Sequence, residues 1–477
     1  MNNLIVKNVI FNMLSKLVNM IFPLVSSIYV SHVIFAEGVG KVGYAQNISQ
    51  YFILLAPLGI VNYGTRELAK VRYYKNQINI LFSELFFINL FSTIFFASFY
   101  YGMIFLCPYF SDERSLFIVT GIPIIFNVFN VEWFYQGMEE YVYISVRNII
   151  VKMISFVCII IFVRSTQDCV AFALIYSVGI VGNYLLNIKN IVKYKIKLII
   201  KGIHPLKHIR LIIVFLSSSI AIELYTLLDT TMLGYFCDDT IVGYYTNAVK
   251  LDKVTVGLIA SIGTVLLPRL SLYVKNGEIK KINLLITRVI MIITFLVIPA
   301  GIGVFVIANK LTVLLFGPSF VPAILTVQIG TALIYILAFS NLFGTQILLA
   351  FNQEKKMFIG TCIGAITNFI MNYFLIPRYQ HNGAMIASVV SEIIVVILFI
   401  YMMFAYIKIT INFRFLFKSL LSGGIMGLIV SIINYSIESL IVSIIFSIVF
   451  GIIVYLSIGV LIKNPIIDLI KSRDVNQ

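Results

Sequence analysis

Long apolar stretches separated by short polar turns dominate the chain from end to end. The run from Leu284 to Val306, for example, is apolar over nearly its whole length and is long enough to cross a bilayer as a helix. A transmembrane barrel would instead alternate polar and apolar residues at every second position. The pattern therefore predicts an all-α integral membrane protein.

Windows of about 20 apolar residues predict fourteen transmembrane helices. Their centres fall near Met20, Leu54, Ser92, Phe126, Phe156, Ser177, Ala221, Ile259, Phe295, Leu333, Ile366, Ile393, Gly427 and Gly451. Counts of twelve or thirteen are also compatible with the pattern. We expect the first helix to be retained, because Met1 to Met13 lacks a small-residue cleavage site and runs straight into a long span.

A short motif recurs at almost half the length of the chain. Val42-Gly43-Tyr44 with Asn47 is repeated as Val242-Gly243-Tyr244 with Asn247, 200 positions later. Such internal repetition is typical of two-lobed transporters. Each half contains six predicted spans, so both halves enter the membrane in the same orientation. We therefore expect two pseudo-symmetric six-helix lobes with a central cavity between them.

The longest polar connection, Lys189 to Arg210, lies where the repeat predicts that the halves join. This predicts four regions. They are an N-terminal six-helix lobe over 1–188, a basic cytoplasmic linker over 189–210, a C-terminal six-helix lobe over 211–407, and two additional helices with a cytoplasmic tail over 408–477.

Composition and charge agree with this topology. Hydrophobic residues make up 60% of the chain, charged residues 12%, and the mean hydropathy is +1.01. If the amino terminus is cytoplasmic, 27 Lys and Arg residues, Arg147 and Lys152 among them, fall on the inner side and five fall outside. This bias predicts that both termini are cytoplasmic. It also accounts for the +15 net charge without a nucleic-acid partner.

Residue types that carry chemistry are scattered. The five cysteines and four histidines form no cluster with metal-ligand spacing, so we expect neither a metal nor a cofactor. Gly38-Val39-Gly40-Lys41 lacks the spacing of a phosphate-binding loop, which argues against an ATPase. The predicted outer loops are too short to present acid and base groups to a sugar. The chain is therefore expected not to be an enzyme.

Polar residues inside the predicted spans are the informative exception. The first span carries a polar stripe, with Lys16 beside it, and the seventh carries a matching one with Asp229 beside it. The stripes are Asn8, Asn12, Ser15 and Asn19, and Ser219, Glu223, Thr226 and Thr230. Such stripes either line a cavity or hold helices together. Asn12, Lys16 and Asn19 are accordingly candidate cavity residues.

The eighth span adds Lys250, Asp252 and Lys253. If the seventh and eighth spans form a hairpin that turns near Asp238 and Asp239, these lysines lie about as far from the turn as Asp229 and Glu223 do. The four could form structural ion pairs. Alternatively, Asp229 or Glu223 binds a coupling proton or Na⁺ while the lysines face an anionic substrate.

Other charges near or within the spans are weaker candidates. Glu392 in the twelfth span is a further coupling candidate. Arg66 and Arg269 end the second and eighth spans and could recruit a phosphate, although topological anchoring explains them as well. Glu84 and Arg288 lie near cytoplasmic ends, where snorkelling to the interface accounts for them and contact with the substrate is the alternative. The aromatic residues after Glu132 are explained by an interfacial belt.

Several motifs together resemble the Wzx-type flippases of O-antigen and other polysaccharide repeat units, over about residues 1 to 410. They are Pro57-Leu58-Gly59-Ile60, Tyr63-Gly64-Thr65-Arg66-Glu67-Leu68-Ala69, Trp133-Phe134-Tyr135-Gln136-Gly137-Met138-Glu139, Asp229-Thr230-Thr231-Met232-Leu233-Gly234, Val242-Gly243-Tyr244-Tyr245, and Asn372-Tyr373-Phe374-Leu375-Ile376-Pro377 with Gly383-Ala384 and Ala387-Ser388. The order and spacing of the motifs carry the resemblance.

The resemblance implies a fold similar to the multidrug (MATE) and lipid II exporters, with two lobes in a V. It implies that undecaprenyl-pyrophosphate-linked oligosaccharide is moved from the cytoplasmic to the periplasmic leaflet of the bacterial inner membrane. It also implies membrane lipid, the polysaccharide polymerase and the chain-length machinery as partners. Two other classes stay open, namely a drug or small-molecule cation antiporter on the same scaffold and a membrane enzyme that acts on lipid-linked sugars.

Overall fold

Apolar runs of helix-spanning length give the chain an all-helical structure, because only a helix satisfies its own backbone hydrogen bonds in lipid. The computed structural model describes residues 2–407 and 412–466, and within them the side chains of 2–10, 12, 16, 217–222, 224, 225, 258–265 and 268 lie outside the description. No β-strand occurs in the described ranges.

The described residues form fifteen α-helices, most of them joined by short turns, with a longer connection between α8 and α9. They are α1 Asn2–Leu55, α2 Ile60–Val71, α3 Lys75–Leu106, α4 Arg114–Thr120, α5 Ile122–Ile125, α6 Glu132–Gly137, α7 Tyr141–Phe162, α8 Cys169–Ile191, α9 Leu206–Phe236, α10 Asp239–Lys275, α11 Ile279–Phe316, α12 Ile324–Ser340, α13 Glu354–Met403, α14 Phe413–Ser436 and α15 Leu440–Leu461. Short 3-10 helices cover Pro108–Phe110, Phe126–Phe129, Val192–Tyr194 and Pro318–Ala323, and a π-helix covers Asn341–Leu348.

All fourteen predicted span centres fall within helices. The first two share α1, which bends at Phe35 (φ 55°, ψ −170°), and the eleventh and twelfth share α13, which bends at Gln380 (φ 50°, ψ −130°). Nine helical segments of the described chain are long and apolar enough to cross a membrane. The chain is a multi-pass membrane protein, and the number of spans stays a prediction.

Packing divides the chain into two compact units, Met1–Gly243 and Tyr244–Gln477. In the first unit, α9 packs against α1 and α2. The predicted lobes are based on the sequence repeat, whereas these units are based on packing. The two divisions differ for α9, which belongs to the predicted C-terminal lobe but to the first packing unit. The lobe boundaries therefore stay a prediction.

Aromatic residues form part of the core of the first unit. Trp133, Phe134 and Tyr135 are all buried, each at 2% exposure or less. A Cβ at Gly64 would lie 2.8 Å from a Trp133 ring carbon, so a glycine is needed for α2 to approach this ring. The prediction that these aromatics form an interfacial belt is wrong, because they pack inside the protein.

A short turn separates α1 from α2. Leu58 (φ 51°) and Gly59 (φ 82°) both adopt left-handed backbone conformations, and a Cβ at Gly59 would lie 2.7 Å from the Leu216 nitrogen. Glycine therefore permits both the turn and the close approach of α9. The helix of the second span ends at Leu55, so Arg66 lies on the separate, amphipathic α2 rather than at the end of that span.

The two additional helices are integrated into the second unit. α14 and α15 pack on α11, and the Tyr455 hydroxyl donates to the Phe295 carbonyl at 3.0 Å. The Lys310 ammonium donates to the carbonyls of Asn434 and Ile437 at the end of α14, and to the Ser443 hydroxyl at 3.1 Å. A cation at a helix C-terminus is favourable because that end carries negative partial charge.

Candidate functional site

A polar contact joins α1 and α7 in the first unit. Asn148 Nδ2 donates to Asn19 Oδ1 at 2.8 Å and to Ser15 Oγ at 3.3 Å. The Lys152 ammonium donates to the same Asn19 oxygen and lies 5.2 Å from the centre of the Phe22 ring. The described part of the α1 stripe therefore holds helices together, as one of its two interpretations anticipates. Asn19 is nevertheless exposed, and its cavity role stays a prediction.

Lys152 lies in the middle of a membrane-length helix. It comes eleven residues after Tyr141, where the 22-residue α7 begins, which is about 16 Å along the axis. The prediction that Lys152 belongs to an inner loop is therefore wrong. A lysine at this depth is costly unless it meets polar groups or water, and Asn19 supplies one such group.

A second basic residue of α7 is buried in an ion pair. The Arg147 side chain is 3% exposed, and its Nη2 lies 2.7 Å from Glu132 Oε2. Its Nε donates to Asn183 at 3.0 Å, and its Nη1 donates to Asn187. Several of the guanidinium donors are thus satisfied by α6 and α8. Arg147 orders this part of the unit and has little left for a ligand.

Glu84 is the centre of a buried network at the predicted inner side. Its carboxylate accepts from Lys207 Nζ, from the His204 backbone N–H and from His208 Nε2, each at 2.8 Å. His208 Nδ1 in turn lies 2.6 Å from the Tyr63 hydroxyl. The prediction that Glu84 snorkels is wrong, because its side chain is 2% exposed and holds the start of α9 against α3.

At the other end of the first unit, α1 crosses the start of α10 at backbone contact. A Cβ at Gly40 would lie 1.7 Å from the Asp239 carbonyl oxygen, and one at Gly243 would lie 2.0 Å from the Ala36 oxygen. Only glycine fits at either position unless the helices move apart. The close approach of the two helices thus explains why position 243 of the repeat is a glycine.

The repeated asparagines both make hydrogen bonds, with different partners. Asn47 Nδ2 donates to the Thr231 hydroxyl at 2.7 Å and to the Leu227 carbonyl at 3.1 Å, which joins α1 to α9. In the second unit, Asn247 Oδ1 accepts from Lys250 Nζ at 3.3 Å. The repeat therefore preserves a polar position rather than one particular contact.

The second unit contains a deeply buried carboxylate beside the predicted lysines. Asp252 is 3% exposed, and a Cβ at Gly330 on α12 would lie 2.1 Å from its Oδ2. Neither Asp252 oxygen has a hydrogen-bond partner among the described residues. Lys250 is half-buried on the same helix, and Lys253 is exposed.

The other predicted site residues vary in their surroundings. Asp229 and Glu392 are buried, whereas Glu223 and Arg269 are exposed. The side chains of Lys16 and Asn12 lie outside the described residues. The hairpin turn between α9 and α10 falls at Cys237 and Asp238, as predicted, but whether the acids pair with the lysines stays a prediction.

Arg66 has protein partners. Its Nη2 lies 2.9 Å from Glu67 Oε1, and its guanidinium stacks over Phe215 at 4.9 Å from the ring centre. Lys70 binds the same Glu67 carboxylate at 2.8 Å. In this conformation Arg66 and Lys70 share the single Glu67 carboxylate, and a phosphate would have to compete with Glu67 for Arg66.

An apolar groove runs along the second unit. It encloses about 520 Å³ and is lined by α11, α12, α13 and α14, with Tyr335, Phe339, Ile397 and Phe415 among the lining residues. Its walls are almost wholly hydrocarbon and aromatic. Such a groove suits an alkyl or prenyl chain.

Lys152 and Asn148 could have been recognised in the sequence. Ser145, Asn148 and Lys152 recur at i, i+3 and i+7, which is one face of a helix, and Ser145 also contacts α1 by donating to the Phe11 carbonyl at 2.7 Å. The Glu84 network carries no comparable signal, because its partners lie 120 to 124 positions from Glu84.

No group of His, Cys, Asp and Glu that could hold a metal occurs in the described part of the chain.

The helical architecture is shared with solved structures of a lipid flippase and of a drug transporter. A structure of the lipid II flippase MurJ in an inward closed conformation is similar to this chain with a TM-score of 0.75 at 16% identity, covering 97% of this chain and 100% of that one. An inward-facing multidrug resistance MATE transporter is similar with a TM-score of 0.64 at 12% identity, covering 82% and 96%. These likenesses confirm the predicted fold class.

The sequence identifies the family more closely. The family model described as polysaccharide biosynthesis protein matches residues 5–274, and the chain belongs to that family. A relative named putative O-antigen transporter, from Escherichia coli strain K12, is 21% identical over 82% of this chain and 94% of its own length. The family predicted from the motifs is thereby confirmed.

Proposed function

We propose that the chain is a flippase for lipid-linked oligosaccharide repeat units of O-antigen or a related polysaccharide. Family membership and the similarity to an O-antigen transporter support the proposal most directly. The fold shared with a lipid II flippase agrees with it. The substrate we assign is undecaprenyl-pyrophosphate-linked, moved from the cytoplasmic to the periplasmic leaflet of the bacterial inner membrane, with both termini of the chain in the cytoplasm.

The observation that carries the chemistry is a cation with amide groups at bilayer depth. Lys152 with Asn19 and Asn148 can bind a phosphate by charge and sugars by hydrogen bonds. A headgroup of this kind cannot cross hydrocarbon alone, but it can cross in a polar cavity. Transport, rather than catalysis, is what this combination suits.

Movement would follow alternating access, in which the site opens to one side of the membrane at a time. We propose that Lys16, Lys250 and Lys253 add to the cationic site together with Asn12, while Arg66 and Arg269 act near the inner entrance. Exchange against H⁺ or Na⁺ at Asp229, Glu223 or Glu392 could drive the cycle. The polysaccharide polymerase and chain-length machinery would then consume the flipped product.

Deletion of the gene in its own host tests the function. We expect lipid-linked repeat units to accumulate on the cytoplasmic leaflet and surface polysaccharide to be lost, with both restored by the wild-type gene. Unchanged polysaccharide together with new sensitivity to cationic compounds would contradict the proposal and favour a drug antiporter.

A further inference from the structure

The connection between α8 and α9 is fixed against the protein along much of its length. We call residues 192–206 the linker strap. Its backbone N–H groups at Lys197 and Ile199 donate to Asn79 Oδ1 at 3.1 Å and to Ser83 Oγ at 2.8 Å, both on α3. A third, at His204, donates to Glu84. Side chains on one face of α3 therefore hold the strap in a defined register.

α3 is longer than the hydrocarbon core of a bilayer, and these anchors lie near its start. Its 32 residues extend about 48 Å, whereas the hydrocarbon core of a bilayer is about 30 Å thick. Asn79, Ser83 and Glu84 come four to nine residues after the helix begins at Lys75, which is about 6 to 14 Å along the axis. All three lie in the first third of α3, at the end that the charge bias predicts to be cytoplasmic.

The strap combines basic and apolar side chains, both exposed. Lys189 to Arg210 contains seven Lys and Arg residues and no acidic residue. Within it, the lysine side chains at 193, 195, 197 and 201 are exposed. Between them, Val192 is 72% exposed, Ile200 75% and Leu206 79%, and Leu198 is exposed as well. Exposed aliphatic groups of this kind gain free energy when they enter an apolar environment.

The positive-inside bias explains the lysines but not their arrangement. Topology requires only that basic residues stay in the cytoplasm, in any conformation. It does not require a segment held by three backbone hydrogen bonds near the start of α3, with aliphatic side chains interspersed among the lysines. That combination is what a surface needs to contact phosphates with its charges and acyl chains with its apolar groups.

We propose that the linker strap is a binding surface for anionic phospholipids of the cytoplasmic leaflet. The four exposed lysines contact the lipid phosphates, and Val192, Leu198, Ile200 and Leu206 enter the boundary between headgroups and acyl chains. The proposal is independent of what the protein transports.

Native mass spectrometry of the full-length protein tests the surface. The purified protein is titrated with phosphatidylglycerol and, separately, with phosphatidylcholine carrying the same acyl chains. We expect retained phosphatidylglycerol on the wild type, and about tenfold weaker retention when Lys193, Lys195, Lys197 and Lys201 are all replaced by Gln, since each lysine near the surface contributes to binding. Equal retention of the two lipids by the wild type would overturn the proposal.

A matched control removes four charges from other predicted cytoplasmic segments. Replacing Lys275, Lys280, Lys355 and Lys463 by Gln lowers the net charge by the same amount, and all four are exposed. We expect lipid retention within about twofold of the wild type. An equal loss in this control would mean that the total charge, rather than the strap, attracts the lipid, and would overturn the proposal.

Loosening the strap without changing its charge gives a second test. The double substitution Asn79→Ala and Ser83→Ala removes two anchors and keeps every lysine. We expect retention of phosphatidylglycerol to fall about threefold, and unchanged retention would contradict the role of the fixed register. Excess inorganic pyrophosphate should not displace the lipid from the wild type, and displacement would assign the lysines to a free phosphate ligand instead.

Discussion

Lys152 on α7 donates a hydrogen bond to the side-chain oxygen of Asn19 on α1, midway along a membrane-length helix. This contact brings a positive charge and three neutral polar groups, Ser15, Asn19 and Asn148, together within the first unit. A charged side chain within a membrane-spanning helix is costly in hydrocarbon, so its presence indicates a functional role.

The substitution Lys152→Met tests this charge while keeping most of the side-chain volume. We expect transport of lipid-linked sugar to fall about tenfold to a hundredfold, because a charge-assisted contact with phosphate is lost. Restoration of surface polysaccharide in a deletion strain, normalised to the amount of protein in the membrane, measures the effect. Lys41→Met is the control, since Lys41 is engaged by Glu37 and Glu113 at 3.1 and 2.9 Å. Normal transport by Lys152→Met would remove the lysine from the site.

Glu84 is predicted to support stability rather than transport. Replacing Glu84 by Ala leaves Lys207, His208 and the His204 N–H without their acceptor, and breaking a buried pair of this kind costs about 3 kcal/mol. We expect a clearly lower melting temperature of the purified protein in detergent. Glu37→Ala, at a 65% exposed side chain, should change it little. Similar melting temperatures for the two variants would show that the network is not stabilising.

The crossing of α1 and α10 is predicted to depend on glycine. In Gly40→Ala the new methyl group would lie 1.7 Å from the Asp239 carbonyl oxygen, so the two helices must separate. A cysteine at Ala36, which is 3% exposed, reports the separation in a variant without the native cysteines. We expect the cysteine to react with a polar thiol reagent several times faster in the Gly40→Ala background.

Gly102→Ala provides the control for this experiment. A Cβ at Gly102 would meet nothing within 4 Å among the described residues. The reactivity of the cysteine at position 36 should be unchanged in that background. If the cysteine reacts at the same rate in the Gly40→Ala and Gly102→Ala backgrounds, the close approach of the two helices is not maintained in the membrane.

Lys310 is predicted to attach α14 to the rest of the second unit. Lys310→Met removes its hydrogen bonds to the carbonyls of Asn434 and Ile437, which should cost about 2 kcal/mol because these bonds are charge-assisted. Faster proteolysis between α14 and α15 measures the loosening. Lys281→Met, at an exposed ion pair with Glu278, should leave proteolysis unchanged. Resistance of the Lys310 variant would contradict the anchoring role.

Much of the fold could be predicted because the bilayer constrains it. The length of each apolar run sets the length of a helix, and the turn at Cys237 and Asp238 follows from polar residues between two such runs. The bends at Phe35 and Gln380 could not be predicted, because they join two spans with no polar loop between them.

The site was harder to predict than the fold, because hydrogen-bond partners that are distant in sequence leave no local pattern. Glu84 and His208 are 124 positions apart, and each taken alone suggests only an interfacial charge. The sequence predicts Lys152 on the inner side because the position of a span along a continuous apolar run is weakly defined. Trp133 looked interfacial by composition, whereas packing between α2 and α3 buries it.

The most direct test of the proposed function is flipping by the purified protein. Proteoliposomes containing undecaprenyl-pyrophosphate-linked oligosaccharide are made with and without the chain, and the exposure of the sugar on the outer leaflet is followed with a membrane-impermeant glycosidase. We expect the fraction of cleaved substrate to rise above the half exposed in protein-free vesicles, and to rise much more slowly with Lys152→Met. Cleavage that stays at one half with the wild-type protein, in vesicles shown to contain folded protein, would contradict the proposal.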